Sequence, residues 1–163
     1  AEALQAIPHL CRLRIHSRLP VVLPSRVDDD LLAWLAGGRL TPVMVIHANH
    51  PNELDDRVGA AMRRLQAAGG RLFNQTVLLR DINDDAAVLT ELSERLFSIG
   101  VQPYYLHLLD RVEGAGHFEV DERRACQVMQ ALASQLPGYL LPRLVREVAG
   151  EPWKVPIDWS GGC

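Results

Sequence analysis

The residue with the clearest chemical potential is Lys154, the single lysine of the chain. Every other basic residue among the 17 Lys plus Arg is arginine. A general preference for arginine would explain this bias without any function. A lysine, however, can lose its proton when it is desolvated and then act as a nucleophile or form a Schiff base, which arginine cannot do. Lys154 is therefore a candidate for amine chemistry.

Asp110 and several histidines are further candidates for chemistry. Asp110 ends the apolar run "YYLHLLD" (104–110), where a carboxylate is costly to bury unless a protein arginine or a substrate ammonium accompanies it. The two imidazoles of "HANH" (47–50) could bind a metal, but no carboxylate or third histidine lies at ligand spacing. We therefore expect hydrogen bonding within a loop there. His107 is expected to be a satisfied core histidine, and Trp153 is expected to be a packing residue.

The elements that must position these residues follow from the periodicity of the apolar side chains. Apolar and β-branched runs predict strands at 12–16, 42–48, 71–79, 103–109 and 139–145. Amphipathic segments between them predict helices within 28–38, 52–70, 84–100 and 121–135, each starting near Asp or Asn. This alternation predicts an α/β fold with a parallel sheet.

Two parallel-sheet architectures compete for this pattern. A doubly wound sheet would carry a G-x-G-x-x-G turn after a strand, and the chain has none. A (βα) barrel gathers its functional residues after the carboxyl ends of many strands. This chain repeats that arrangement with His47, Asn49, His50, Arg80, Asp81, Asn83, Asp110, Glu147 and Lys154. Only about four and a half of the eight βα units are present, so we expect a partial TIM-type barrel, the later part of a longer one.

Composition excludes several classes of protein. The 163 residues carry a formal net charge of -3, and the arginines alternate with acids, which argues against nucleic-acid binding. No apolar run is long enough to cross a membrane, and no signal-peptide pattern opens the sequence. Cys11, Cys126 and Cys163 are odd in number and widely spaced, which argues against a disulfide framework and predicts a cytoplasmic location.

Five segments together resemble the lysine 2,3-aminomutase family. They are "RLRIHSRLPVVLP" (12–24), "HANHPNEL" (47–54), "NQTVLLRDIND" (74–84), "PYYLHLLDRVEGAGHF" (103–118) and "GYLLPRLVREVAGEPWKVPID" (138–158). The resemblance implies a radical enzyme that uses S-adenosylmethionine, a 4Fe–4S cluster and pyridoxal phosphate. Within the family, "RVEGAGHF" and "REVAGEPWK" are most similar to the branch that makes (R)-β-lysine for modifying translation elongation factor P.

The resemblance assigns roles to individual residues. Lys154 matches the lysine that forms the Schiff base with pyridoxal phosphate. Asp110 and Glu147 match the two carboxylates that bind the distal ammonium of the substrate L-lysine. Gln75 and His47 match strand-end positions similar to the contacts of S-adenosylmethionine. Trp153 is bulkier than the family pattern at its position.

The largest departure from the family is a missing cysteine motif. The cluster of such enzymes is held by Cys-x3-Cys-x2-Cys, and the three cysteines here are too far apart to form that motif. The resemblance therefore implies that residues 1–163 are the carboxyl-terminal portion of one radical S-adenosylmethionine barrel domain, with the cluster-binding portion absent. No metal ligands are assigned within this chain.

These features predict an aminomutase that converts L-lysine to (R)-β-lysine by radical 1,2-amino migration. The isolated chain is expected to be inactive and to form a homo-oligomer, because an open half-barrel would leave unpaired strand edges. Two alternatives stay open: a cofactor-free Schiff-base lyase or aldolase that also uses Lys154, and a non-catalytic fragment that only self-associates.

Overall fold

The computed structural model describes residues 2–110 and 113–161, in which strands alternate with helices. The strands are β1 (Arg12–His16), β2 (Thr41–His47), β3 (Arg71–Val77), β4 (Gln102–His107), β5 (Arg143–Arg146) and β6 (Val155–Pro156). The α-helices are α1 (Glu2–Gln5), α2 (Leu19–Val22), α3 (Asp29–Ala36), α4 (Asp56–Ala67), α5 (Ala86–Ser98) and α6 (Glu122–Ala133). Short 3₁₀ helices cover Pro24–Arg26, Pro51–Glu53, Gly116–Phe118 and Gly138–Leu140.

The strands form one sheet in the order β1-β2-β3-β4-β5-β6. Neighbouring strands from β1 to β5 are parallel, whereas β6 runs antiparallel to β5. The strand order follows the chain without the reversal that defines a doubly wound sheet. The fold is therefore an open half-barrel of alternating strands and helices, which confirms the predicted class in its main features.

The four long helices begin in the same way. Asp28, Asp55, Asp85 and Asp121 each accept a hydrogen bond from a backbone N–H of the first helical turn. Such a cap satisfies one of the amide groups that a helix start leaves unpaired. The connections from α4 to β3 and from α5 to β4 contain Gly69 and Gly100, with φ of 87° and 80°, which are conformations that glycine adopts without steric cost. These local features fix where each helix returns the chain to the sheet.

The hydrophobic core lies between the sheet and the helices. Alternate strand residues such as Met44, Ile46, Leu72 and Leu106 pack against helix residues including Met62, Leu65, Leu96, Met129 and Leu132. The opposite, concave face of the sheet is open and carries a cavity of about 440 Å³, lined by Arg12, Arg14, Val43, Val45, Phe73 and Tyr104. The strands thus have one buried face and one face that can receive a ligand.

Two local predictions about the chain end were wrong. The strand predicted at 139–145 is shorter and later, because residues 138–140 form a 3₁₀ helix and pairing starts at Arg143, after Pro142. The edge of β5 was expected to be unpaired, but β6 covers it through the pairs Val145–Pro156 and Arg146–Val155. The residue before β6 is Lys154, so this added strand fixes the position of the candidate amine.

The cysteines fit their prediction only in part. Cys11 is free and exposed. Cys126 is buried in α6 and is disulfide-bonded, although the spacing of the cysteines argued against a disulfide framework. Cys163 lies outside the described residues.

Candidate functional site

The carboxyl ends of the parallel strands bring polar side chains together on the concave face. His16 ends β1 and His47 ends β2, and their imidazole ring centroids lie 6.3 Å apart. Gln75 is the register partner of His47 on β3, and its side chain lies beside His16. The sequence analysis identified His47 and Gln75 but missed His16, although its place at the end of the first predicted strand is the same signal.

Lys154 lies at the same end of the sheet, on the antiparallel edge. Its ammonium group donates a hydrogen bond to Glu147 Oε1 and forms an ion pair with that carboxylate. Nζ also lies 5.8 Å from the centroid of the Tyr105 ring, and the side chain is 25% exposed. The hydrogen bond from Lys154 lowers the pKa of Glu147 below its ordinary value. The amine is therefore held in a defined place but is still accessible.

A cavity of about 350 Å³ opens beside Lys154, and we call it the lysine cavity. Its walls combine cations, aromatic rings and carboxylates: Arg14, His16, Tyr104, Tyr105, Glu147, Glu151, Pro152, Trp153 and Lys154. The Tyr104 hydroxyl donates to the Tyr105 hydroxyl over 2.9 Å, and this hydrogen bond raises the pKa of Tyr104. The cavity can hold an aromatic anion between a primary amine and a guanidinium group.

A second, larger cavity of about 680 Å³ is lined by several carboxylates, and we call it the acidic cavity. Asp110 and Glu147, the two carboxylates that the resemblance assigned to one ammonium group, both line this cavity. Arg146 also lines this cavity, but its guanidinium is paired with Glu122. Asp110 is exposed, so the expected cost of burying its carboxylate does not arise. Glu147 lines both cavities.

The expectation for His107 was right about burial but wrong about hydrogen bonding. Its side chain is only 6% exposed, as expected for a core residue, but its Nε2 has no hydrogen-bond partner. The ring meets the Tyr105 ring edge-on at 5.6 Å and faces the site. Burial, followed by the positive charge of Lys154, lowers the pKa of His107 from 6.5 to about 4. His107 is therefore a neutral imidazole at neutral pH, and the alternation of side chains along β4 could have placed it on this face.

Burial also lowers the pKa values of His16 and His47, and neighbouring positive charges add to the effect. For His16 the additional cations are Arg14 and Lys154, whereas the neighbouring Gln75 side chain acts in the opposite direction. Gln75 Oε1 is buried beside His16 and makes no hydrogen bond of normal geometry. This end of the concave face thus offers neutral imidazoles and an unused amide oxygen, which suit a ligand that brings hydrogen-bond donors.

A set of asparagines holds the turns that carry His47 and Gln75. Asn83 donates to the carbonyl oxygens of Asn49 and Val77 over 2.7 and 2.9 Å. Asn49 Oδ1 accepts from the amide of Val77, and the Asn74 side chain bonds both backbone groups of Ala48. These bonds join the carboxyl ends of β2 and β3, so they fix the strand ends on which the site depends.

The "HANH" segment forms a loop as expected. His50 Nδ1 accepts a hydrogen bond from the amide of Asn52, and Glu53 accepts from the amides of Asn49 and His50. Within residues 2–110 and 113–161, no group of three His, Cys, Asp or Glu residues could hold a metal ion. The described part of the chain therefore offers no ligand set for an iron–sulfur cluster.

The prediction that Trp153 is a packing residue was wrong. Its side chain is 65% exposed and stands at the lysine cavity, directly before Lys154 in the chain. No sequence signal distinguished it from a core tryptophan.

These features define the class of the molecule: an open (βα) half-barrel with a charged site at the carboxyl ends of its strands. The same fold occurs in the crystal structure of a radical SAM methyltransferase from Sphaerobacter thermophilus, with a TM-score of 0.54 and 18% sequence identity. That match covers 72% of this chain and 37% of the methyltransferase chain. At this identity the likeness concerns the fold alone.

Sequence relatives identify the family. The chain is 54% identical over 151 residues to L-lysine 2,3-aminomutase of Haemophilus influenzae, covering 93% of this chain and 45% of the relative. The Escherichia coli enzyme of the same name is 51% identical over 95% of the chain and 45% of the relative, and that of Clostridium subterminale is 37% identical over 94% and 37%. No protein-family model matches the chain.

The chain belongs to the lysine 2,3-aminomutase family, and it spans about half the length of the curated relatives that it matches. In the part of the chain that the structure describes, none of the helices has the length and apolar character needed to cross a membrane.

Proposed function

We propose that this chain forms the pyridoxal-phosphate- and lysine-binding side of an enzyme that converts L-lysine to (R)-β-lysine by radical 1,2-amino migration. The observation that carries this proposal is the position of Glu147, which lines both the lysine cavity and the acidic cavity. A substrate with amino groups at both ends could place one near Lys154 and the other near the carboxylates.

Pyridoxal phosphate fits the lysine cavity. Lys154 provides the primary amine for the covalent attachment, and Arg14 provides a cation for the phosphate. The tyrosine rings give an aromatic wall, and the volume of about 350 Å³ lies within the usual range for ligand pockets. When bound, pyridoxal phosphate carries the amino group during its migration.

Asp110 and Glu147 would bind the distal ammonium of L-lysine. Charge-assisted hydrogen bonds of this kind are stronger and more directional than neutral ones. Fixing the far end of a flexible side chain would orient Cβ of the substrate toward the radical source, and such positioning is the main contribution of a protein to this chemistry. The two carboxylates therefore serve alignment rather than bond breaking.

Gln75 and His47 are proposed to contact S-adenosylmethionine. The buried Oε1 of Gln75 can accept a hydrogen bond from an amino or hydroxyl group, and the neutral imidazole of His47 lies one strand away. The described residues do not fit a 4Fe–4S cluster. We propose that its ligands lie in another part of a longer barrel domain of TIM type, of which this chain is the carboxyl-terminal portion, and that the isolated chain is inactive.

The setting of the reaction is also proposed. The segments "RVEGAGHF" and "REVAGEPWK" favour a role in the modification of translation elongation factor P. A cytoplasmic location suits that role. Among the described residues β1 pairs only with β2, and this open strand edge favours association into a homo-oligomer.

Attachment of pyridoxal phosphate tests the proposal directly. The chain is incubated with pyridoxal phosphate, reduced with borohydride and mapped by peptide mass spectrometry. We expect the label at Lys154, its loss in Lys154→Arg, and its decrease when L-lysine is added before reduction. Norleucine, which lacks the distal ammonium, is the matched control ligand and should compete less well. A label confined to the terminal amine, or an equal effect of both ligands, would contradict the proposal.

A further inference from the structure

Trp153 is an exposed apolar side chain at a chemically important place. The residue is 65% exposed, although a tryptophan is among the side chains that gain most from burial. Single exposed apolar residues are common on protein surfaces and by themselves carry no meaning. Here, however, the indole lines the lysine cavity together with Tyr104 and Tyr105. The exposed area therefore faces the space in which a ligand of Lys154 would lie.

The backbone on both sides of Trp153 is fixed. Gly150 has a φ of 90°, and the amide of Glu151 donates to the carbonyl oxygen of Val148 over 3.0 Å, which closes a turn before the tryptophan. After it, Val155 pairs with Arg146 in the antiparallel ladder. The indole is thus held at the mouth of the cavity by the backbone, without burial of the side chain in the core.

We infer that Trp153 covers the ring of the aromatic group bound at Lys154 and shields the covalent bond from water. This inference rests on the proposed function, since it requires that Lys154 binds pyridoxal phosphate. Aromatic rings stack favourably on one another, and binding would remove the exposed indole surface from water. Trp153 would be a positioning residue, because the bond itself forms at Lys154.

The shielding has a chemical consequence. The bond between Lys154 Nζ and the aldehyde carbon of the cofactor forms with loss of one water molecule and breaks by addition of one. A cover that excludes water slows the reverse step, so the cofactor should stay bound longer. Removing the indole should increase the release rate and leave Lys154 competent to react.

The experiment compares Trp153→Ala, Trp153→Phe and Tyr139→Ala. Tyr139 is a matched control because it is 62% exposed and packs against Phe97, outside both cavities. Three quantities are measured: the dissociation constant for pyridoxal phosphate, its release rate on dilution, and iodide quenching of the reduced pyridoxyl group on Lys154. Circular dichroism and thermal unfolding show that each variant is folded.

We expect Trp153→Ala to weaken binding and to speed release by about twofold to tenfold, with increased quenching by iodide. Trp153→Phe, whose smaller ring covers less of the bound group, should fall between the wild type and the alanine variant, and this intermediate result is measurable even if the alanine variant does not fold. Tyr139→Ala should behave like the wild type. If Trp153→Ala is labelled at Lys154 but has the dissociation constant, release rate and iodide quenching of the wild type, this inference is overturned and the proposed function still stands. Failure of the wild-type chain to label at Lys154 would overturn the proposed function, and this inference with it.

Discussion

Lys154 and Glu147 form an ion pair across the hairpin that joins β5 to β6. The single amine of the lysine cavity is therefore paired with one of the two carboxylates proposed to bind the substrate. Each partner has a second use in the proposed function. Once Lys154 is bonded covalently, Glu147 can accept the ammonium group of L-lysine in place of the protein cation.

The first prediction concerns Glu147→Gln. Removing the negative charge releases Lys154 from its ion pair, so pyridoxal phosphate should attach faster near neutral pH. The same variant should bind L-lysine more weakly, because one charge-assisted contact to the ammonium is lost. Stopped-flow absorbance follows attachment, and calorimetry follows lysine binding. Glu94→Gln, on the exposed face of α5, is the control and should change neither quantity. If pyridoxal phosphate attached more slowly to Glu147→Gln than to the wild type, the ion pair with Glu147 would not be what restrains Lys154.

The second prediction concerns Asp110→Asn. The variant should require about tenfold to a hundredfold more L-lysine for half-saturation of the chain loaded with pyridoxal phosphate, since hydrogen bonds to charged groups contribute about 1.5–3 kcal/mol. Cofactor attachment should be unchanged, because Asp110 lines only the acidic cavity of the two. Calorimetric titration measures both. Asp30→Asn, at an exposed carboxylate of α3, provides the matched charge change. Equal affinities for lysine in the two variants would show that Asp110 does not contact the substrate.

The third prediction concerns the pH dependence of stability. Burial lowers the pKa of His107 from 6.5 to about 4, so the unfolded chain binds this proton at a higher pH than the folded chain. Above about pH 6.5 His107 is neutral in both states and does not change the free energy of unfolding with pH. As the pH decreases toward 4, proton binding by the unfolded chain lowers the free energy of unfolding, in total by on the order of 2–3 kcal/mol. His16 and His47 add effects of the same sign.

His107→Gln should flatten this part of the profile, because glutamine does not titrate. Urea unfolding at several pH values between about 4 and 7 measures the effect. His9→Gln, at an exposed histidine, should leave the profile of the wild type intact. An equally steep profile in His107→Gln would show that another group is responsible.

The fourth prediction concerns Asn83→Ala. Asn83 is fully buried, and its side chain bonds Leu79, Asn49 and Val77. The substitution leaves three backbone groups without these partners, so the free energy of unfolding should decrease by about 2–4 kcal/mol. Urea unfolding measures the decrease. Asn52→Ala, at an exposed asparagine, should cost less than about 0.5 kcal/mol, and a similar loss in both variants would remove the special role of Asn83.

Much of the fold could be predicted because its causes are local. The first strand was placed at its observed bounds, and the next three start within one residue of theirs. The four long helices lie within their predicted segments because apolar spacing and an aspartate cap act within a few residues of chain. The short β6 could not be predicted, since two residues carry no periodic pattern.

The sequence by itself determined the inventory of the candidate site: the single lysine, the polar residues after each strand and the two carboxylates. Only the tertiary structure decided which of them meet. The curvature and order of the sheet place Arg14 and His16 of β1 in the same cavity as Lys154, on the opposite edge. A register shift between Asn74 and Gln75 sets how β4 aligns with β3 beside His107. Such proximities depend on pairing between distant strands, whereas helix and strand patterns depend on neighbours along the chain, and this is why the residues were foreseeable and their arrangement was not.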